Sequence, residues 1–157
     1  MFEQMAQRLS RHFSTLTGRR VTFAGVRPSV GSKARQIFAA YTMFPDAAPM
    51  VVHADVPLLG SFAGALVGLP ASEVSARLKV KPLDELMSDA IHEVLNIAGA
   101  VINNEQRVVL IVLTEEVEKM PEPGRILLAK AAVRSDFDVT IDEYEGGRLT
   151  VLTQQSV

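Results

Sequence analysis

Carboxylate and amide side chains recur at helical spacing in one segment of this chain. Asp89, Glu93, Asn96 and Asn103 all lie in the helix-patterned stretch 83–104, which reads LDELMSDAIHEVLNIAGAVINN. At about 100° per residue, positions three, four or seven residues apart emerge on the same side of a helix. The opposite side is apolar and fit for a core. The spacing therefore predicts an exposed helix face that presents hydrogen-bonding groups to another molecule.

Two features favour a functional role for this face. Asn96 stands in mid-helix, although asparagine is a mediocre helix former because its amide competes with the backbone for hydrogen bonds. The small residues Gly99 and Ala100 lie between the asparagines, where they would let another protein's backbone approach closely. On spacing alone, a solvated helix face remains the alternative.

Residues for other common chemistries are missing or scattered. The chain has no cysteine, which excludes disulfides and thiol chemistry and favours a reducing cytoplasm as the compartment. His12, His53 and His92 are far apart in sequence, and nothing in their spacing predicts a metal site. Glycine-rich nucleotide loops and the HExxH and GxSxG motifs do not occur. We expect no metal or cofactor of the chain's own.

Length and composition predict one globular domain over residues 1–157. Hydrophobic residues make up 48% of the sequence and charged residues 22%, proportions that favour a well-packed core over disorder. The net charge of −2 gives no reason to expect nucleic-acid binding. A local group of arginines predicts a solvated helix face: Arg8, Arg11, Arg19 and Arg20.

The stretch 50–70 is the part of the chain that could imitate a membrane span. Gly60, Gly64 and Gly68 form a repeated GxxxG pattern there, which favours dimerisation when a helix faces lipid. Asp55 and the prolines on either side leave too few residues to cross about 30 Å of hydrocarbon. We therefore predict a buried pair of strands and no membrane partner.

Hydrophobic periodicity predicts three helices. They are expected at Phe2–Leu16, at Ala71–Leu78 and over the long segment 83–104. Gly18 would end the first helix, and Pro82 would occupy the first turn of the long one.

Strands are expected around these helices. The predicted strands are 21–26, closed by Pro28 and Gly31, then 35–44, 51–56, 58–69 and the fully buried 107–113. The stretches 51–56 and 58–69 are either two strands or one long bent strand. A C-terminal hairpin is predicted from 137–143 and 148–153, turned by Gly146 and Gly147. The order of elements predicts an α+β fold, in which the long helix and the N-terminal helix pack on an antiparallel sheet.

The segment SDAIHEVLNIAGAVIN resembles the signature helix of the CheC/CheX family of chemotaxis phosphatases, in which Asp or Ser, then Glu, then Asn recur at this spacing. Asp89, Glu93 and Asn96 match all three positions, whereas the family's glycine usually lies one residue later than Gly99. The order of elements before this helix, including the stretch LLGSFAGALVGLP, is also similar to that of CheX-type proteins. CheC proteins usually carry two signature helices. This chain has one, so it resembles the CheX-like branch.

The resemblance implies a phosphatase that removes the aspartyl phosphate of a CheY-like receiver, whose own site holds Mg²⁺. Attack by water in line with the phosphorus is mainly a positioning problem, and the resemblance assigns the orienting amide to Asn96. Glu93 would dock on the receiver's active-site lysine through a charge-assisted contact. Asp89 would either support that docking or favour the first turns of its helix. The other partner-binding positions would be His92, Gly99, Ala100 and Asn103.

Two further expectations follow from the resemblance. A non-catalytic binding module is the alternative function, because relatives of this fold in flagellar switch proteins bind receivers or one another without hydrolysis. CheX-like relatives form homodimers through their sheet, so a symmetric homodimer is expected here. Its predicted contact is the pair of strands 58–69 and 50–56, which only Asp55 guards against edge pairing. A monomer whose helices cover that edge is the alternative.

Overall fold

The computed structural model describes residues 2–27 and 34–154. Within these ranges the helices are α1 Phe2–Thr17, α2 Val56–Val67, α3 Ala71–Leu78, α4 Glu85–Ile102 and α5 Glu122–Ala129. The strands are β1 Val21–Val26, β2 Gln36–Phe44, β3 Ala48–Asp55, β4 Arg107–Thr114, β5 Val133–Ile141 and β6 Tyr144–Thr153. The predicted α+β class is confirmed. The expected end of the first strand, at Pro28 and Gly31, lies outside the described residues.

The strands form one antiparallel sheet in the order β1-β5-β6-β3-β2-β4. Because successive side chains of a strand point to opposite faces, the sheet separates two apolar clusters. Tyr41 and Val52 belong to the main core, which they share with α1, α2 and α4. Ala40 and Val51 point the other way and pack with Leu127 of α5. Helices α1, α2 and α4 therefore cover one face of the sheet, and α5 covers part of the other.

The helices predicted at the N-terminus and at 71–78 are confirmed. The amphipathic pattern of α1 buries Met5, Leu9 and Phe13, and Gly18 ends the helix in a left-handed conformation with a φ of 66°. These contacts fix α1 beside β1 and leave its polar side outward.

The predicted strand at 58–69 is wrong, because the chain there forms the helix α2. An unbroken run from Leu58 to Gly64 is buried in this helix. A helix surrounded by protein has no polar side, so its sequence lacks the 3.6-residue period that would identify it. Pro57 is in the first turn and Gly68 ends the helix with a φ of 80°.

The GxxxG pattern supports a helix contact within the chain. A methyl group added to Gly60 would lie 2.5 Å from Leu78 Cδ1, and one added to Gly64 would lie 2.2 Å from Val74 Cγ2. The two glycines therefore bring α2 and α3 close together. No helix among the described residues has the length and apolar character required for a membrane crossing.

The predicted dimer contact is also wrong. The stretch 58–69 is helical, and β3 lies inside the sheet between β6 and β2, where both of its edges are already paired. The strand that was expected to be fully buried, 107–113, is instead the edge strand β4. Its Ile111 side chain is 53% exposed. A continuous apolar run predicts a strand but does not tell a central strand from an edge strand.

The C-terminal hairpin forms, but its turn lies at Asp142 and Glu143. Glu143 has a φ of 72°, and Gly146 and Gly147 lie inside β6. A Cβ atom on Gly147 would lie 2.8 Å from Asp55 Oδ2, so this glycine allows β6 to approach the start of α2. The prediction of a turn at the two glycines is therefore wrong, because both lie within the strand that follows the turn.

A row of polar side chains crosses the sheet beside α5. His53 Nδ1 is 2.9 Å from Gln36 Oε1, and burial, with the nearby Arg134 charge, lowers the pKa of His53 to about 4. Burial opposes ionisation of Asp136, but hydrogen bonds from Arg134 and Thr150 outweigh it and lower the pKa of that carboxyl. These groups satisfy one another, and they lie on the other side of the sheet from α4.

Candidate functional site

The start of α4 is set by Asp84. Its Oδ1 accepts a hydrogen bond from the backbone N–H of Met87 at 2.9 Å, which satisfies a donor that the first turn leaves free. Glu85 supplies a negative charge in the first turn. The helix therefore begins two residues later than the pattern predicted, and the expectation that Pro82 occupies its first turn is wrong. Asp89 lies in the second turn, beyond the positions that favour the helix start.

The middle of α4 is held by Tyr41 of β2. The Tyr41 hydroxyl donates to the Leu95 carbonyl at 2.7 Å, and complete burial raises the pKa of the phenol, so that it stays a neutral donor. The edge of the ring lies against the backbone at Gly99. This contact ties the middle of the helix to the sheet and leaves the neighbouring Asn96 exposed.

The end of α4 is held by Arg8 of α1. Its guanidinium donates to the carbonyls of Val101 at 3.3 Å and Ile102 at 2.9 Å. A cation at this end also interacts favourably with the helix dipole. Together with the Asp84 cap and the Tyr41 contact, this leaves α4 fixed at its start, middle and end. A helix held in this way presents its outer side chains in a defined geometry.

Five of the predicted residues lie on the outer side of this helix. They are Asp89, His92, Glu93, Asn96 and Ala100, and all five are exposed. Among the described residues, none of these side chains has a hydrogen bond or ion pair. We call this surface the α4 face. It presents two carboxylates, an imidazole and an amide over about 16 Å, from a rise of about 1.5 Å per residue.

Gly99 and Asn103 do not belong to the α4 face, so the prediction that they are exposed is wrong. Gly99 is turned toward Tyr41. Asn103 is only 8% exposed because the helix ends at Ile102 and the next residue leaves the helical path. Its amide nitrogen lies 3.0 Å from Met43 Sδ and donates to Gln106 Oε1 at 3.3 Å. Helical spacing could not predict this position, because the periodicity stops where the helix stops.

The contact between Gly99 and Tyr41 gives a stability prediction. A Cβ atom at position 99 would lie 2.5 Å from Cε2 of the buried Tyr41 ring. Overpacking of this kind costs about 1–3 kcal/mol, and a better helix propensity returns about 0.5–1 kcal/mol. We expect Gly99→Ala to lower the free energy of unfolding by about 1 kcal/mol or more, measured in urea. In a Tyr41→Leu background the same change should be neutral or stabilising, and an equal loss in both backgrounds would contradict this assignment.

Leu86 is a neighbour of the α4 face that the sequence did not single out. The pattern places it with the apolar core residues, but its side chain is 45% exposed. It lies three residues before Asp89 and seven before Glu93, so it emerges beside both. An exposed leucine next to unpaired carboxylates adds apolar contact area to a surface that otherwise offers polar groups.

The site lacks the arrangement needed for a metal centre of its own. Over residues 2–27 and 34–154, no group of three or more histidines or carboxylates is placed so that it could hold a metal ion. What the α4 face offers is hydrogen bonding and charge.

Comparisons with known proteins identify the fold. No family model matches the sequence, and no curated protein matches it. Among solved structures, the FliM middle domain from H. pylori superposes with a TM-score of 0.67 at 9% identity, covering 96% of this chain and 85% of that one. A chain of the CheX–CheY–BeF3–Mg²⁺ complex from Borrelia burgdorferi superposes with a TM-score of 0.58 at 9% identity, covering 98% of this chain and 97% of that one. CheX from Vibrio vulnificus superposes with a TM-score of 0.52 at 9% identity, covering 94% of this chain and 95% of that one. The chain therefore has the fold that CheX and the FliM middle domain share.

Proposed function

We propose that the chain is a cytoplasmic CheX-like phosphatase, which docks a phosphorylated CheY-like receiver on the α4 face and accelerates loss of its aspartyl phosphate. One observation carries the proposal. Asp89, Glu93 and Asn96, the residues that match the signature, are exposed side by side on a helix that is fixed at its start, middle and end. The Borrelia neighbour with this fold was crystallised together with CheY, BeF3 and Mg²⁺.

The chemistry follows from the spacing of Glu93 and Asn96. Side chains three residues apart on a helix have Cβ atoms about 5–6 Å apart. If Glu93 pairs with the receiver's active-site lysine, the Asn96 amide is placed over the adjoining phosphate. There it donates to and accepts from one water molecule and directs it in line with the phosphorus. Mg²⁺ in the receiver's own site supplies the charge neutralisation.

Asp89 and Leu86 extend the contact on the N-terminal side of Glu93. Asp89 carries a second negative charge one turn earlier, beyond the first turn of the helix, which favours its role in docking over a role in starting the helix. Leu86 contributes exposed apolar area at the rim. These residues set affinity, whereas Asn96 acts on the rate.

A non-catalytic binding module is the second candidate. It is favoured by the FliM middle domain, which has this fold as CheX does. The two candidates use the same α4 face and differ only in whether the bound receiver loses its phosphate faster.

The deciding experiment measures acyl-phosphate loss from radiolabelled receivers of the same genome, with and without this protein. Acceleration of one receiver supports the phosphatase. Tight binding of a receiver with an unchanged decay rate would replace the phosphatase by the binding module. Absence of both would overturn the proposal.

We also propose that the chain forms a symmetric homodimer, and that its contact is the free edge of β4. From Val108 to Leu113 this strand carries only apolar side chains, so no charge guards the edge. A β-bulge at Ile111 supports the alternative of a monomer, because a bulge in an edge strand disfavours pairing with a strand of another molecule.

Two isoleucines of equal exposure test the dimer. Ile111 on β4 and Ile126 on α5 are each 53% exposed. We expect light scattering to give a dimer for the wild-type protein and for Ile126→Lys, and a monomer for Ile111→Lys, because a lysine on an edge strand opposes pairing. A single-chain mass for the wild-type protein at micromolar concentration would refute the dimer. A dimer that buries Glu93 and Asn96 would refute the docking face as well.

A further inference from the structure

A groove of about 610 Å³ runs between α1 and α4 and opens next to the α4 face. Its apolar lining includes the half-buried Leu16 of α1 and Ile97 of α4. Exposed polar residues of α1, among them Arg11 and His12, also line the groove. Ala100 lines the groove and also belongs to the α4 face, so the two surfaces are continuous.

The groove lies between α1 and α4, next to the point where Arg8 links the two helices. Arg8 bridges the helices by donating to the last carbonyls of α4, which commits its charge to the helix end. Arg11 lies three residues further along α1, is exposed, and has no hydrogen bond or ion pair among the described residues. The prediction that four arginines share one solvated helix face is wrong: Arg8 holds the end of α4, Arg19 and Arg20 lie beyond the end of α1, where Arg19 pairs with Glu143, and Arg11 remains available.

Charge is distributed unevenly along the combined surface. Asp89 and Glu93 make the N-terminal half of the α4 face acidic, whereas Arg11 makes the groove basic. From Glu93 to Ala100, where the groove opens, the rise is about 10 Å at about 1.5 Å per residue. Asn96 lies between the acidic and the basic ends. A surface of this kind favours one orientation of a complementary partner, because reversing the partner would bring like charges together.

We propose that the groove is the second half of the docking surface, and that it takes an acidic, partly apolar segment of the same receiver that contacts Glu93. This inference rests on the proposed function, and it specifies which chemical groups the receiver presents to this chain. The receiver presents a cation to Glu93, carboxylates to Arg11, and an apolar side chain to the floor at Leu16 and Ile97. Arg11 is in this view a residue for affinity and orientation that does not touch the reacting atoms.

The test compares charge and shape in the groove with a matched site elsewhere. Arg11→Glu reverses the exposed charge, and Arg125→Glu makes the same change on α5, on the other side of the sheet. Thr15→Trp fills the groove without changing its charge. The probe is the receiver selected in the phosphate-loss experiment, loaded with BeF3 and Mg²⁺, with the dissociation constant measured by calorimetry.

We expect Arg11→Glu to weaken binding about tenfold at low salt, and much less in 1 M salt, where the screening length is about 3 Å. Thr15→Trp should weaken binding at both salt concentrations, and Arg125→Glu should bind as the wild-type protein does. Turnover at saturating receiver should stay within about twofold of wild type for Arg11→Glu, because affinity and not chemistry is altered.

Different outcomes separate this inference from the proposed function. Wild-type affinity in Thr15→Trp would show that nothing enters the groove and would overturn the inference, even with full phosphatase activity. Equal losses of receiver affinity in Arg11→Glu and Arg125→Glu would also overturn it, because the effect would then come from the net charge of the protein and not from a charge in the groove. A receiver that binds the groove but keeps its phosphate would remove the phosphatase and leave the groove assignment intact. If no receiver binds the wild-type protein, both fall.

Discussion

Replacing Asn96 by alanine is expected to slow receiver dephosphorylation roughly a hundredfold while leaving the fold and receiver binding intact. In the proposed mechanism this amide alone orients the attacking water, and losing one preorganised group costs on the order of 3 kcal/mol of transition-state stabilisation. The side chain is exposed and has no partner among the described residues, and alanine is the better helix former. The measurement is single-turnover loss of acyl phosphate at saturating receiver.

The control for this prediction is Gln4→Ala, which removes an exposed amide from α1 and should leave the rate unchanged. Thermal melting of Asn96→Ala should match or slightly exceed that of the wild-type protein. Normal turnover in a variant that melts normally would remove Asn96 from the mechanism. A loss of binding equal to the loss of rate would reassign Asn96 from orienting water to docking.

The second large effect is expected from Glu93→Lys. Reversal of this charge would place a lysine of the chain against the receiver's active-site lysine and should weaken binding by on the order of 2 kcal/mol, roughly thirtyfold. Stability should not fall, because the new lysine would follow Asp89 by four residues, a spacing that stabilises a helix by about 0.2–0.5 kcal/mol. Titration of the phosphorylated receiver against both proteins measures the difference.

A charge reversal on the other side of the sheet controls for long-range electrostatics. Glu118 is exposed in the short turn before α5, and Glu118→Lys changes the net charge by the same amount. It should bind the receiver nearly as well as the wild-type protein does. Equal affinity of Glu93→Lys and the wild-type protein would rule out the docking role of Glu93.

The sequence determined those elements in which one side of a helix is apolar and the other polar. The 3.6-residue hydrophobic periodicity of α1, α3 and α4 can be recognised in the sequence because each of these helices faces both core and solvent. For the same reason, spacing alone places Asp89, Glu93 and Asn96 on one exposed face. Local spacing decides which residues share a helix face, whereas packing against neighbouring elements decides which of them are exposed.

Elements surrounded by protein, or left at an edge, were decided by tertiary structure. The helix α2 is apolar on all sides, so its sequence pattern is typical of a strand. The strand β4 is an apolar run, and such a run does not indicate which strands pair with it. Gly146 and Gly147 look like turn residues, but close approach to Asp55 is what requires a small residue at 147. In each case the deciding contact joins segments that are distant along the chain.

The candidate site divides in the same way. Glu93 and Asn96 are exposed because of helical spacing, which the sequence contains. Gly99 is covered by Tyr41, and Asn103, which follows the end of the helix, lies against Met43; these two partners lie 58 and 60 positions earlier in the chain (99 − 41 and 103 − 43). The groove is bordered by Arg8, which donates to carbonyls that follow it by 93 and 94 positions. No local pattern encodes such distances, so only the packing of α1 and β2 against α4 decides which parts of that helix a partner can reach.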